Sequence, residues 1–176
     1  NADTYMRRLQ QGGYRTALVG KAHFKFQENA DIKPHENYMH QLGFEDLYET
    51  GGTWSNVGAD TIYADYLKKQ GVFDEHVEYY MQLDAKPDIE RRFTAEPPPI
   101  PGEHVLDNFI GRTATEYIRD YNDDRPSFLF VGFQGPHEPF DAPEPYASQY
   151  DPQAMPDSIP ELPFGDWLPE HAREYH

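Results

Sequence analysis

The stretch Ser127-Phe128-Leu129-Phe130-Val131-Gly132-Phe133 is an unbroken apolar run of strand length. Its aromatic and β-branched content is that of a strand buried on both faces. A shorter run of the same kind, Thr16-Ala17-Leu18-Val19, is bounded by glycines, and Gly20 ends it by letting the backbone turn. A helix precedes each run. Before the first strand, Tyr5, Met6 and Leu9 share a helical face, Asn1 or Asp3 can cap, and Gly12 with Gly13 supplies the stop. Before the second, Phe109, Ile110, Ala114, Tyr117, Ile118 and Tyr121 recur at helical spacing between Asp107 and Tyr121, with Asp107 available as a cap. Asn122, Asp123 and Asp124 then make a turn.

Helix, strand, long excursion, helix, strand is the order of an α/β sheet, in which ligand sites collect beyond the carboxyl ends of parallel strands. Lys21, His23 and His137 all fall just past such ends. The excursion between residues 24 and 103 is mixed in polarity, with the aromatic cluster Phe44, Leu47, Tyr48 and Trp54 set among turns at Gly51, Gly52 and Gly58. The pattern predicts a helix across Ala59 to Gln70. Pro97, Pro98, Pro99 and Pro101 form an extended connection, because consecutive prolines block helix and sheet hydrogen bonding alike. From Asp141 to His176 the abundance of Pro, Asp and Glu predicts loop with short helical turns at most.

A length of 176 residues suits one domain or part of one. The formal charge of −16 argues against non-specific binding to nucleic acid or an anionic membrane, since both need a positive field at the surface. A small anionic substrate stays compatible, because surface charges are screened beyond roughly 8 Å while cations inside a cleft act at contact. Cysteine is absent, so disulfides, thiolate metal sites and a cysteine nucleophile are excluded within these residues. No apolar stretch has the length of a membrane span, and the residues after Asn1 lack the pattern of a signal peptide. Compartment, periplasmic or cytoplasmic, and oligomeric state are not legible.

Lys21 and His23 form a pair suited to an oxyanion: a compact cation with three donors, and an imidazole able to donate or move a proton near neutral pH. On spacing alone the two also read as a solvated strand-end lysine and a hydrogen-bonded surface histidine. The longer string Gly13-Tyr14-Arg15-Thr16-Ala17-Leu18-Val19-Gly20-Lys21-Ala22-His23 resembles the second sulfatase signature, Gly-Tyr-x-Thr-x-x-x-Gly-Lys-x-His, at every fixed position. A second string, Phe128 to Phe140 with Pro136-His137 near its end, continues to Pro143, Glu144, Pro145 and Tyr146. It resembles the sulfatase strand that ends in Pro-His and enters a proline-rich substrate loop. The likeness covers most of residues 1 to 150.

The resemblance implies an α/β fold: part of a mixed, mostly parallel sheet sandwiched by helices, the alkaline-phosphatase-like sulfatase fold, here incomplete. It implies hydrolysis of small organic or sugar sulfate esters by a formylglycine hydrate, with a divalent metal, calcium, holding the sulfate. Lys21 would bind a sulfate oxygen, and His23 would assist release of sulfate. His137 would bind the ester oxygen and help protonate the leaving alcohol. The departures matter equally. The formylglycine motif, Cys/Ser-x-Pro-x-Arg, does not occur, and Ser158-Ile159-Pro160-Glu161-Leu162 comes nearest but lacks the Arg. The paired aspartates and the later Asp-Asn ligands of the metal are expected outside this chain, so residues 1–176 read as a partial catalytic domain without metal ligands of its own. The other histidines, His35, His40, His76, His104, His171 and His176, have no metal-ligand spacing, though His35, His76 and His104 could fall near a substrate entrance. Two further readings stay open: a phosphonate or phosphate monoester hydrolase of the same superfamily, and a non-catalytic anion-binding module.

Overall fold

The computed structural model of the protein describes residues 3–24, 32 and 35–157. Helix α1 (Tyr5–Gln11) leads into β1 (Arg15–Gly20), followed by α2 (Glu36–Leu42) and β2 (Asp46–Glu49). Four helices fill the excursion: α3 (Ser55–Gly58), α4 (Ile62–Gln70), α5 (Phe73–Asp84) and α6 (Asp88–Arg92). Helix α7 (Leu106–Asp120) then delivers the chain to β3 (Ser127–Gly132). The strands form one sheet in the order β2-β1-β3, and both pairings are parallel.

Alternation along β1 builds a core on each face of the sheet, because successive side chains of a strand point to opposite sides. Val19 packs with Tyr63 and Leu67 of α4 and with Phe109, Ile110 and Ala114 of α7, and Leu129 and Val131 of β3 join them. Leu18 packs on the other face with Met6 of α1, Met39 and Leu42 of α2, and Phe44, flanked by Phe128 and Phe130. The sheet is thus sandwiched by helices, as the α/β reading anticipates, and every residue of β1 from Thr16 to Gly20 is buried. At the end opposite Lys21, Arg15 forms ion pairs with Asp46 and Asp123, so β1 is tied to β2 and to the turn before β3.

Four expectations need correction. β3 is not buried on both faces: it is the edge of the described sheet and its residues are only half-buried after an exposed Ser127. The cap of α1 is Thr4, whose side chain accepts from the Arg7 N–H, while Asp3 pairs with Arg8 and Asn1 lies outside the described residues. Asp107 does not cap α7, which starts after Val105 without a side-chain cap; its carboxylate is engaged elsewhere, as described below. The predicted helix from Ala59 starts later, at Ile62, because Thr61 accepts from the Ala64 N–H and sets the N-terminus there. The proline segment forms neither helix nor strand but bends at Pro99 and Ile100, and the described part of the tail holds only turns and the short 3-10 helix Pro152–Ala154. Ser158 to Leu162, His171 and His176 lie outside the described residues.

Candidate functional site

The carboxyl ends of β1 and β3 are pinched together by two glycines. Gly20 and Gly132 are register partners, and the Lys21 N–H donates to the Gly132 carbonyl at 2.9 Å. A Cβ on Gly20 would lie 2.1 Å from the Gly132 oxygen, and one on Gly132 would lie 2.0 Å from the Lys21 oxygen. Neither contact is tolerable, so both positions require glycine. Gly20 also has φ of +93°, a conformation that lets the chain turn out of the strand toward Lys21.

Lys21 is half-buried, and its ammonium runs across Gly52: a Cβ there would be 2.9 Å from Lys21 Nζ. The Gly51-Gly52 segment is held by Asn56, which donates to the Gly51 and Gly52 carbonyls at 3.1 and 3.0 Å and accepts from the Thr61 hydroxyl at 3.0 Å. Burial lowers the pKa of Lys21, and the Glu138 carboxylate opposes that shift.

His137 sits on a turn anchored from α7. The Asp107 carboxylate accepts the N–H groups of Gln134 at 2.7 Å and Gly135 at 2.9 Å, and the His137 N–H donates to the Gln134 carbonyl at 3.1 Å. The exposed imidazole turns Nδ1 toward the Glu138 carbonyl at 2.8 Å and the Glu138 carboxylate at 3.2 Å. A proton on Nδ1 is therefore held by Glu138, and Nε2 is the nitrogen left for a ligand. Arg92 of α6 reaches the same carboxylate at 3.4 Å. Glu138 thus holds Arg92 and His137 on one carboxylate, whose charge also acts on Lys21.

His23 stands apart from this group. It is exposed, has the left-handed φ of 55°, unusual for a residue with a side chain, and has no hydrogen-bond partner among the described residues. Lys21 leaves the pinched end of β1 and feels the charge of Glu138, the residue that holds His137, while His23 remains exposed past the same strand end.

Beside His137 lies a cavity of about 300 Å³ walled by Tyr80, Leu106, Pro139 and Phe140, with Gln134 and Asp141 as polar members. Burial pushes the Asp141 carboxyl up to about 6, while the Tyr80 hydroxyl donates to it at 2.6 Å. Beneath the cavity His76 is 4% exposed and packs edge-on against Tyr63 and Tyr80. Burial pushes its pKa down to about 4. His76 is therefore near the cavity but in the core; His104 is bound to the Tyr66 hydroxyl at 2.6 Å and His35 precedes α2, so neither lines it.

Gln134, Glu138, Arg92, Asp107 and Gly52 carry much of this geometry, and sequence reasoning gave none of them a role at the site. Glu138 follows His137 directly and Gly52 belongs to a Gly-Gly pair, which are usable signals; Arg92 and Asp107 carry none, since only the fold brings them near. Among the described residues no group of three or more His, Cys, Asp or Glu side chains stands together as a cation site. The divalent metal implied by the resemblance finds no ligand set there.

The sulfatase family model matches residues 3–162. The chain is also similar to an arylsulfatase of Clostridium perfringens (strain 13 / Type A), with 23% identity across 98% of this chain and 34% of that protein. It spans about a third of the length of that curated relative. The matched residues contain both strands, the pinched glycines and the Lys21 and His137 turns, and the chain belongs to the sulfatase family.

Proposed function

We propose that this chain is the part of a sulfuric ester hydrolase that grips the sulfate ester, an incomplete catalytic domain whose nucleophile and metal ligands come from other parts of the same protein. The observation that carries this reading is the placing of Lys21 at the pinched ends of β1 and β3 and of His137 on the turn that follows β3, beside a cavity able to take a compact alcohol. A formylglycine hydrate and a calcium ion, which the family resemblance implies, would supply the attacking oxygen and polarise the sulfate.

The chain's own residues do the rest. Lys21 binds a sulfate oxygen; at about 4 Å and an effective dielectric near 20, that attraction is roughly 4 kcal/mol before desolvation. His137, with Nδ1 held by Glu138, presents Nε2 to the ester oxygen. As the sulfur–oxygen bond breaks, a proton on Nε2 passes to the departing alkoxide, which leaves as the alcohol; general acid assistance of this kind contributes typically ~10²–10⁴-fold. His23, at the rim of the same strand end, assists release of sulfate. The substrate is a sulfate ester of a small organic or sugar alcohol.

The test is turnover by the full-length protein that contains this chain, comparing the sulfate, phosphate and methylphosphonate esters of 4-nitrophenol. Hydrolysis of the 4-nitrophenyl sulfate that falls at least a hundredfold in Lys21→Ala, and of an alkyl sulfate that falls at least a hundredfold in His137→Ala, supports the reading. Faster phosphate or phosphonate turnover would reassign the reaction within the superfamily, and no turnover of any ester would leave an anion-binding module.

A further inference from the structure

Gln134 is only 9% exposed, and its Oε1 has no hydrogen-bond partner among the described residues. A buried amide oxygen of this kind is an acceptor that lacks its donor, and folded proteins rarely leave one so, because the water it gave up has to be replaced. The backbone of Gln134 is not free to move off, since its N–H is held by the Asp107 carboxylate and its carbonyl accepts from the His137 N–H.

The donor at hand is Lys21. A Cβ on Gly52 would lie 2.9 Å from Lys21 Nζ and 3.5 Å from Gln134 Oε1, so the ammonium and the amide oxygen are neighbours at Gly52, where a side chain would crowd both. The lysine carries three N–H donors on a flexible four-carbon stem, while Gln134 is fixed at both backbone groups, so it is the lysine end that turns to close the bond. The need is mutual. Lys21 is half-buried, burial disfavours its charge, and the charged group that opposes this is the Glu138 carboxylate on the turn after β3. An amide oxygen adds to that support without the negative charge of a second carboxylate, which would repel an anion.

We propose that Gln134 is a positioning residue for Lys21: its amide oxygen accepts from the ammonium, which keeps the lysine charged and fixes its end while the other N–H donors are left for a sulfate oxygen. The part this contact plays in turnover rests on the sulfate-ester reading, whereas the contact itself does not.

The test is competitive acetylation of the full-length protein with trace acetic anhydride across alkaline pH, the Lys21 peptide being quantified by mass spectrometry. Only the neutral amine reacts, so the midpoint of reactivity is the pKa of this ammonium. Gln134→Leu, similar in bulk but without the acceptor, is expected to lower the midpoint by roughly 0.5–1 pH unit, and Gln134→Glu to raise it above wild type. Lys68 and Lys69, exposed on α4, serve as controls whose midpoints stay put. If Gln134 merely packed the site, its loss would admit water to Lys21 and raise the midpoint instead. An unchanged midpoint in both variants, or a rise in Gln134→Leu, overturns the assignment. The alkaline limb of kcat/KM for 4-nitrophenyl sulfate is expected to move with the midpoint. The stated midpoint shifts with an unmoved limb, or in a protein that hydrolyses no sulfate ester, uphold the contact and reject the role of Lys21 in the sulfate-ester reading.

Discussion

Asp107 accepts the backbone N–H of Gln134 at 2.7 Å, joining the first turn of α7 to the turn that presents His137. A second bond of 2.9 Å, to the Gly135 N–H, fixes both oxygens of the carboxylate, so the turn is held at two adjacent amides. Hydrogen bonds to a charged acceptor contribute about 1.5–3 kcal/mol each. Asp107→Ala removes both and is expected to lower kcat for sulfate ester hydrolysis at least tenfold, while Asp107→Asn, which keeps one acceptor oxygen, loses less. The order Asp, Asn, Ala in steady-state kinetics checks this; equal kcat in all three would mean that His137 needs no anchor from α7.

The protonating role proposed for His137 makes a prediction about leaving groups. An alcohol of low pKa leaves without help, whereas a basic alkoxide needs the proton. His137→Ala should therefore slow hydrolysis of a 4-nitrophenyl sulfate less than that of an alkyl sulfate, with a gap of at least tenfold between the two. Rates for a series of sulfate esters against leaving-group pKa give the comparison: a steeper slope in the variant is expected, and parallel slopes would assign His137 to binding alone.

How far the sequence exposed this architecture depended on how local each signal was. β1, β3 and α7 are marked by apolar content or helical spacing within their own residues, and they stand where those patterns put them. β2 has only four residues, Asp46-Leu47-Tyr48-Glu49, and becomes a strand through its parallel pairing with β1, a contact no local pattern records. Helix α5 did carry a signal, since His76, Tyr80 and Leu83 share its buried face, but a histidine and a tyrosine in place of aliphatic residues hid the stripe. Lys21 and His137 stand out in the sequence because a family motif frames each. Gln134 needed the fold, because what sets it apart is a buried oxygen with no partner among the described residues, not its neighbours in sequence.

His76 and Asp141 sit on either side of Tyr80 and are expected to pull stability in opposite directions with pH. His76 has its folded pKa lowered to about 4 from an ordinary 6.5. As pH falls through that window the unfolded chain takes up a proton that the folded one does not, so this residue destabilises in acid, by about 3 kcal/mol in full. Asp141 has its carboxyl raised to about 6 from an ordinary 3.8, so the folded state binds the extra proton and stability is lost as pH rises through that range. Denaturation midpoints of the full-length protein between pH 4 and 7 should show each effect as a difference from wild type. Asp141→Asn removes the loss at rising pH and steepens the acid loss, and His76→Leu does the reverse. Difference curves of the same sign for both variants would contradict the opposed burial of the two groups.

The pinch between β1 and β3 is tested by a single methyl group. Ala at position 132 would put its Cβ 2.0 Å from the Lys21 carbonyl oxygen, a backbone atom that cannot swing aside as a flexible side chain could. Relief requires the strand ends to separate, which breaks the Lys21 N–H bond to the residue 132 carbonyl and shifts the ammonium relative to His137. Gly71, at the end of α4, is the control: it has φ of +74° but open space around its missing Cβ, so Ala there meets only the left-handed backbone strain of roughly 1–2 kcal/mol. Gly132→Ala is expected to destabilise by more than ~2 kcal/mol and to weaken sulfate binding, whereas Gly71→Ala destabilises without touching the site. Chemical denaturation with sulfate titration of both variants makes the measurement. Sulfate affinity unchanged in Gly132→Ala would mean that Lys21 tolerates a wider gap between the strands than the wild-type contact allows.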